Sequence, residues 1–477
     1  MPHVSPREEA LREITARLGR ENVLVHPADR LVYECDGYTL VKCMPQAVVF
    51  PRSTRDVQQV VRICREYRVP LVARGAGTGL AGGATPTDEA IVVSLARLNR
   101  ILAVDLVNRR IRVEAGVINL ELSQHLAGTG YQFAPDPSSQ VACTLGGNIA
   151  TNAGGPHTLK YGVTVNHVLG LECVTGEGEV LELEPRSDPG DLDWIGVLTG
   201  SEGTLAIVTS AWLKLIPAYR EFITLRGTFS RIEDACFAVS RIIGAGITPA
   251  AMELMDQGIL QAVEEAFHFG FPTDVEAVLI VELDGVGPAI EAQAEQVATF
   301  CRECGAREVL SASDAAERAR LWQCRKSAVG AVGRLSPAYF IQDGVVPRTK
   351  LPEVATRVKE IARRWNVRVV NVAHAGDGNI HPIFLYDPKN PAEVERTVSA
   401  SHEILAACIH LGGSITAEHG VGLEKRDFME RLYPPEVLEA MRALKRVFDP
   451  DAILSPGKVI PSNGEEHSAV AKGENNA

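Results

Sequence analysis

Residues 74–83 read RGAGTGLAGG, five glycines in ten positions. Within them Gly77-Thr78-Gly79-Leu80-Ala81-Gly82 satisfies the spacing G-x-G-x-x-G of a dinucleotide-binding turn. The context refuses that match. Such a turn must open a helix directly after its strand, so that a pyrophosphate meets the helix N-terminus. Here the loop runs on through Gly83, Ala84, Thr85 and Pro86 into the strand-like IVVSL at 91–95. The glycines still demand an account. They let successive backbone N–H groups turn inward around an anion and let the backbone approach it closely. Arg74 and Thr78 stand ready to add a charge and a hydroxyl. The bland alternative is a mobile surface loop.

Working outward, LVAR at 71–74 reads as a strand. The helix before it is marked by Val57, Val60, Val61, Cys64 and Tyr67, with Ser53 as its N-cap. A shorter amphipathic helix is expected over 7–19, and QAVVFP reads as a buried strand. After the loop, short strands follow one another without helices: IVVSL, then ILAVDLVNRRIRVEAGV. The helix NLELSQHL comes next, and then a hairpin turning at Gly176-Glu177-Gly178. TLAIVTSAWLKLIP is a long strand stopped by Pro217, and the first domain is expected to end at 218.

A second glycine concentration lies inside that domain. Residues 135–155 read PDPSSQVACTLGGNIATNAGG, with Lys160-Tyr161-Gly162 close behind. Polar Ser138, Ser139, Thr144, Asn148, Thr151 and Asn152 alternate with Val141, Ala142, Leu145, Ile149 and Ala150. That mixture suits backbone buried against a polar, planar heterocycle. A third glycine turn, TGSEGT at 199–204, precedes a strand. Three such loops without a dinucleotide helix suggest one large nucleotide cofactor lying across the domain.

The whole chain bounds the partners. Its 477 residues carry 48 Lys+Arg against 60 Asp+Glu, a formal net charge of -12, which argues against a nucleic-acid partner. No run of 18 apolar residues is present, so no transmembrane helix is expected, and MPHVSPREEALREI has no apolar core of a signal peptide. The ten cysteines form no zinc or iron–sulfur spacing; the lone Cys301-x-x-Cys304 falls in an apparent helix, and a reducing cytoplasm is the simplest setting. The polar stretch 462–477 is expected to be a disordered tail.

Beyond 220, strands alternate with single amphipathic helices. This predicts an antiparallel sheet with helices on one face, an α+β architecture. Residues 374–381 read HAGDGNIH: His374 ends a strand and His381 enters the next after a tight turn. Residues 418–422 read EHGVG. Nitrogen and oxygen ligands from His374, His381 and Glu418 would leave positions open on a catalytic divalent ion. The alternative is two structural histidines beside a turn.

At these motifs the chain resembles the FAD-dependent oxidoreductases of the vanillyl-alcohol oxidase type. The resemblance rests on RGAGTGLAGG, PDPSSQ, TLGGNIATNAGG, KYG and TGSEGTLAIVT, and it spans roughly residues 20–460. Within that family it is most similar to the 2-hydroxy-acid dehydrogenase branch holding the glycolate oxidase flavin subunit and D-lactate dehydrogenase. The resemblance implies a two-part FAD-binding domain over 1–218 and a substrate and cap domain over 219–425 with an antiparallel sheet covered by helices. A helical segment over 426–461 would return to the flavin domain. The diphosphate would lie on Arg74, Gly75, Ala76, Gly77, Thr78 and Gly79. The rest of the cofactor would meet Pro135, Asp136, Ser138, Ser139, Thr144, Gly146, Gly147, Asn148, Ala150, Thr151, Asn152, Gly203 and Ile207. The first loop carries no histidine or cysteine, so non-covalent FAD is expected, with Cys143 and His157 as alternative attachment points.

The resemblance also implies roles in the second domain. His374, His381 and Glu418 would hold zinc, manganese or iron. His419 would be the general base that takes the hydroxyl proton, while the Cα hydride passes to flavin N5. Arg325, in LWQCRKSAVG, would hold the substrate carboxylate; by its residues alone it reads as a surface helix charge. Arg334 is a second candidate. Enzymes acting on D-2-hydroxyglutarate place a lysine two residues before the aspartate of the next strand. Ile341 stands there, before Asp343, and points to a smaller acid such as glycolate or D-lactate. Partner subunits, flavin-bearing and iron–sulfur, or a quinone or cytochrome acceptor, would take the electrons. Placement would be cytoplasmic, peripheral to the inner membrane face through those partners. Competing readings are a larger D-2-hydroxy-acid dehydrogenase, an aryl-alcohol or sugar oxidase, alkyl-glycerone-phosphate synthase chemistry and a non-catalytic flavin-binding subunit.

Overall fold

The computed structural model describes residues 5–184, 192–219 and 221–461; the tail expected over 462–477 lies outside them. Helix α1 (Pro6–Leu18) opens on a capping box between Ser5 and Glu8 and buries Ala10 and Ile14. Strand β1 (Ala47–Val49) leads to α2 (Thr54–Glu66), whose N-cap Ser53 accepts from the Asp56 N–H. β2 (Leu71–Arg74) and β3 (Ile91–Ser94) complete a small sheet in which β3 lies between β1 and β2, parallel to both. The glycine-rich stretch is the β2–β3 connection, so it emerges from the C-terminal end of a parallel strand.

A second, antiparallel sheet follows. β4 (Ile101–Asp105) and β5 (Arg110–Glu114) form a hairpin, and α3 (Asn119–Leu126) and α4 (Leu145–Thr151) come next. β6 (Val168–Thr175), β7 (Val180–Leu183) and β8 (Ala206–Lys214) finish it in the order β4-β5-β8-β6-β7. β8 ends at Lys214, earlier than expected. Ile216–Pro217 pairs instead with Tyr131–Gln132 in a separate ribbon. The apolar core of the first sheet and the core between α4 and β8 flank the glycine loops.

The remaining chain builds one eight-stranded antiparallel sheet. Its elements are β9 (Glu221–Phe229), α5 (Ile232–Gly244), β10 (Ala251–Asp256), α6 (Gln257–Phe267), β11 (Ala277–Gly285), α7 (Gly287–Glu303) and β12 (Ala306–Ser311). Then come α8 (Ala315–Val332), β13 (Ala338–Ile341), α9 (Leu351–Trp365), β14 (Arg368–His374), β15 (Asn379–Tyr386) and α10 (Pro391–His410). The strand order is β12-β9-β11-β10-β14-β15-β13, with Gly344–Val345 added beside β15.

Helices cover both faces of this sheet, not one. Leu279, Val281 and Leu283 of β11 pack in the core that α5, α7, α9 and α10 close, whereas Val278 and Ile280 pack in a second core with α6 and α8. A strand such as AVLIVEL is apolar on both sides because both sides are covered. The α6–α8 face is only half filled by apolar groups. Glu253, Glu282, His374 and His381 stand on it, and it is this polar half that meets the flavin-side sheets. After 425, α11 (Pro435–Phe448) leads back, and Leu454 bridges in parallel to Leu71 of β2.

Candidate active site

A single open cleft of about 1510 Å³, mouth included, runs between the glycine loops and the polar half of the large sheet. Sixteen of the nineteen sequence-predicted cofactor residues line it. The exceptions are Pro135, Asp136 and Asn152. Those three face away. The Pro135 carbonyl accepts from Asn119, Asp136 takes the His157 Nδ1 at 2.9 Å, and Asn152 caps α4 in a left-handed conformation. The motif is continuous in sequence, but these three residues serve the turns at its ends and not the cleft.

The cleft wall is backbone by construction. Gly77 and Gly203 hold φ of +72° and +70°, conformations glycine adopts without strain. A Cβ on Gly75 would collide with the Thr144 hydroxyl, and one on Gly146 would lie 2.6 Å from the Ala115 Cβ. Arg74 does not reach into the cradle as a free charge. It donates to the Cys35 carbonyl at 2.8 Å and its guanidinium lies against Gly77, bracing the loop from behind. A long, glycine-walled cradle with one face left to backbone N–H groups fits a flavin dinucleotide. Neither attachment candidate is well placed chemically. His157 has Nδ1 at 2.9 Å from Asp136 and Nε2 at 3.7 Å from Glu282, and burial raises the thiol pKa of Cys143.

At the other end of the cleft Arg325, His381, Glu418 and His419 line the wall together with Val329, Ile341 and Val372. His374 sits behind them, buried. His374 Nε2 is 3.1 Å and His381 Nε2 3.2 Å from the same oxygen, Oε1 of Glu418. Each histidine has its other nitrogen engaged: His374 Nδ1 lies 2.7 Å from Glu253 Oε1, and His381 Nδ1 lies 3.2 Å from the Gln342 carbonyl. Both Nε2 atoms therefore face Glu418, the arrangement in which outer partners orient imidazoles toward an ion. One ligand atom from each residue falls within 4.8 Å of the others, so the trio fits a small divalent cation. Burial alone would lower the His374 pKa, but the Glu253 and Glu418 carboxylates outweigh it and hold it well above its ordinary value. A point that stabilises a buried proton in this way suits a cation as well.

Asp343 shapes the EHGVG loop, and no sequence signal singled it out. Its Oδ2 accepts from the N–H groups of Ala417, Glu418 and His419 at 3.0, 3.2 and 2.9 Å, and from the Thr416 hydroxyl at 2.5 Å. Lys425 Nζ, fully buried, stands 3.5 Å away. Asp343 itself lies in the short break between β13 and Gly344–Val345. His419 is thereby fixed with its ring stacked on His381, centroids 5.0 Å apart. Burial, helped by the charges of His381 and Lys425, pulls its pKa down to about 4, so the ring is neutral. Its Nδ1 is buried with no partner among the described residues. Glu202, from the third glycine turn, accepts from Val421 and Gly422 N–H at 2.6 and 2.9 Å and ties this loop to the flavin side.

Arg325 is buried, not a surface charge. α8 aims it inward, where its Nε lies 2.7 Å from Glu253 Oε2. Arg334 is not brought to the site: it is exposed one turn past α8, its guanidinium 5.8 Å from the Phe267 ring. Helix termini end in solvent there, and a charge beyond the last buried turn points outward.

Fold and cleft together define a flavin-dependent oxidoreductase, and the chain belongs to the FAD-linked oxidases. The C-terminal domain of that family matches residues 217–459 and an FAD binding domain matches residues 45–184. The chain is 42% identical over 442 residues to glycolate oxidase subunit GlcD of Escherichia coli (strain K12), covering 92% of this chain and 88% of the relative. It is 32% identical over 428 residues to D-lactate dehydrogenase of Anaerostipes hadrus, covering 88% and 90%. Among solved structures, 4-ethylphenol oxidase from Gulosibacter chungangensis superposes with a TM-score of 0.80 at 20% identity, over 95% of this chain and 97% of that one, a likeness of fold. No helix among the described residues is long and apolar enough to cross a membrane.

Proposed function

We propose that the protein oxidises a small 2-hydroxy acid, glycolate or D-lactate, to the 2-oxo acid, with non-covalent FAD and a divalent cation (zinc, manganese or iron) held by His374, His381 and Glu418. The observation that carries this reading is the meeting, at one end of the flavin cradle, of one guanidinium, one neutral histidine and a cation-shaped trio. Arg325 offers the carboxylate its planar fork. Among the described residues that line that end, Arg325 is the one cationic side chain, and Ile341, Val329 and Val372 beside it are apolar. That pairing suits a single carboxylate with a hydrogen or methyl behind it, and disfavours a dicarboxylate. His419, neutral and held by Asp343, takes the hydroxyl proton. Bound flavin supplies the two-electron acceptor for the Cα hydrogen, and the cation supplies positive charge beside the hydroxyl oxygen. The apolar wall excludes water from the reacting carbon. Electrons then pass to a separate acceptor, a partner subunit or a quinone. The flavin-binding part would span 1–218, the substrate and cap part 219–425, and the segment returning to the flavin domain 426–461.

The test is anaerobic stopped-flow bleaching of the flavin band near ~450 nm, the absorbance of an oxidised isoalloxazine. Glycolate, D-lactate, L-lactate and D-2-hydroxyglutarate are compared, with and without prior chelation. Fast bleaching by glycolate or D-lactate, lost on chelation and restored by added Mn(II), is the expected result. Bleaching that ignores chelation overturns the ligand roles of His374, His381 and Glu418. Preference for D-2-hydroxyglutarate overturns the small-acid assignment.

A further inference from the structure

Glu253 occupies the middle of β10, between Met252 and Leu254, and is entirely buried. An ionised carboxylate buried at a strand centre is costly unless it is paired. Its two oxygens face two different functional groups, Oε1 in a hydrogen bond and Oε2 as a counter-charge whose contact lacks hydrogen-bond alignment. Oε1 lies 2.7 Å from His374 Nδ1, and Oε2 lies 2.7 Å from Arg325 Nε. The sheet register places Glu253 directly opposite His374 on β14, so the first contact is set by backbone pairing. The second is set by α8, which crosses the same face and lays Arg325 over the strand.

We infer that Glu253 is a positioning residue that couples the substrate-carboxylate arm to the cation arm of the site, each through one oxygen of the same carboxylate. The inference rests on the roles proposed above for Arg325 and His374. By accepting from Nδ1–H, Glu253 orients the His374 ring so that Nε2 and Glu418 Oε1 face one point, where the Nε2 lone pair would be offered to a cation. By placing its charge 2.7 Å from the Nε of Arg325, it anchors that edge of the guanidinium electrostatically and leaves the terminal nitrogens for a ligand in the cleft. Neither partner can be released without disturbing the other, because the carboxylate pivots on one Cδ. Glu282, on the neighbouring strand and the same face, repeats the device one step further from the chemistry. It receives Arg318 Nε at 2.7 Å and Trp322 Nε1 at 2.5 Å, from the same helix as Arg325. Helix α8 is therefore docked by polar contacts at 318, 322 and 325, three positions on one face.

The test is Glu253→Gln, an isosteric change that removes the charge and leaves an oxygen for only one partner. Mn(II) affinity, followed by the EPR signal of free Mn(II), is expected to weaken about 10–100-fold. KM for the 2-hydroxy acid is expected to rise in the same variant, while FAD content stays at the wild-type ratio. Mn(II) affinity and KM both at wild-type values overturn the inference. Should Glu253→Gln not accumulate as folded protein, Glu253→Asp gives the decision. Its shorter carboxylate reaches one partner and not both, so at least one of the two constants must move, and two unmoved constants overturn the coupling. A wild-type protein that binds no Mn(II), even with FAD in place, overturns instead the cation assignment on which the inference stands; the two failures are thereby distinguishable.

Discussion

The two ends of the cleft are built from different materials. The flavin end is backbone: Gly75, Gly77 and Gly146 hold the wall where a side chain would strike Thr144, Arg74 or Ala115. The cap end is side chain. Glu253, Arg325, Asp343, His374, His381, Glu418 and His419 come from strands, a helix and a loop spread over 167 positions, and most of them are buried. A backbone site tolerates no added atoms, whereas a side-chain site tolerates no lost charge or ring nitrogen. Substitutions should therefore separate cofactor retention from chemistry. The largest separation is expected for His419→Asn. With the flavin end untouched, the variant should keep its yellow colour and its melting temperature while the rate of anaerobic flavin reduction falls by about 10²–10⁴-fold, the usual contribution of a general base. A fall of less than tenfold would remove His419 from proton transfer and break the division.

The reverse experiment adds one carbon at the flavin end. In Gly146→Ala the new Cβ meets the Ala115 Cβ at 2.6 Å and its carbonyl oxygen at 2.9 Å. Because Ala115 follows β5 directly, the strand end cannot move aside freely. Overpacking of this kind costs about 1–3 kcal/mol. The expected result is a lower melting temperature and a reduced ratio of flavin to protein after gel filtration. Reduction rate per bound flavin should stay near wild type. Loss of rate per flavin at full occupancy would show that the backbone end also tunes the chemistry.

The same contrast explains what could be read in advance. Glycine loops are contiguous, so RGAGTGLAGG and TLGGNIATNAGG declared a cradle before any fold was known. His374 and His381 were legible for a similar reason: a tight turn brings the ends of adjacent strands together within eight residues. Glu253, Asp343, Glu202 and Glu282 were not, because each is a single acid whose partners lie 76 to 220 positions away or on another element, as with Asp343 and His419 or Glu202 and Gly422. Helix α6 is hard to see in the sequence because it starts without a break from β10. Asp256 caps it, and Ile259, Leu260 and Val263 carry its stripe, but AMELMDQGIL reads as a continued apolar run. Strand β12, AREVLS, shows little alternation because it is a largely exposed edge strand with only Ala306 and Val309 turned to the core. The sheet's second helical layer was missed for the opposite reason. Uniformly apolar strands show that both faces are covered but do not say by what.

Between the two ends lies the contact that holds them together, and here the expected effect is smallest. His157, from the flavin side, stacks on Trp322 of α8 with centroids 5.6 Å apart and bridges Asp136 to Glu282. Burial opposes its charge, but Asp136 and Glu282 prevail and raise its pKa to about 10. Unfolded, the ring would titrate near ~6.5. A folded pKa above the unfolded one means that folding binds a proton between those values. The stabilisation is fully present below about 6.5 and declines as pH rises toward about 10, where the ring is neutral in both states. Wild-type melting temperature should therefore fall between pH 7 and pH 10 more steeply than that of His157→Gln, whose side chain keeps the bridging geometry without titrating. The two curves should converge near pH 10. Parallel curves across that range would show that His157 is neutral in the folded protein, and that the two ends of the cleft are joined by packing on Trp322 and by the Lys160 and Tyr161 contacts to Asp284.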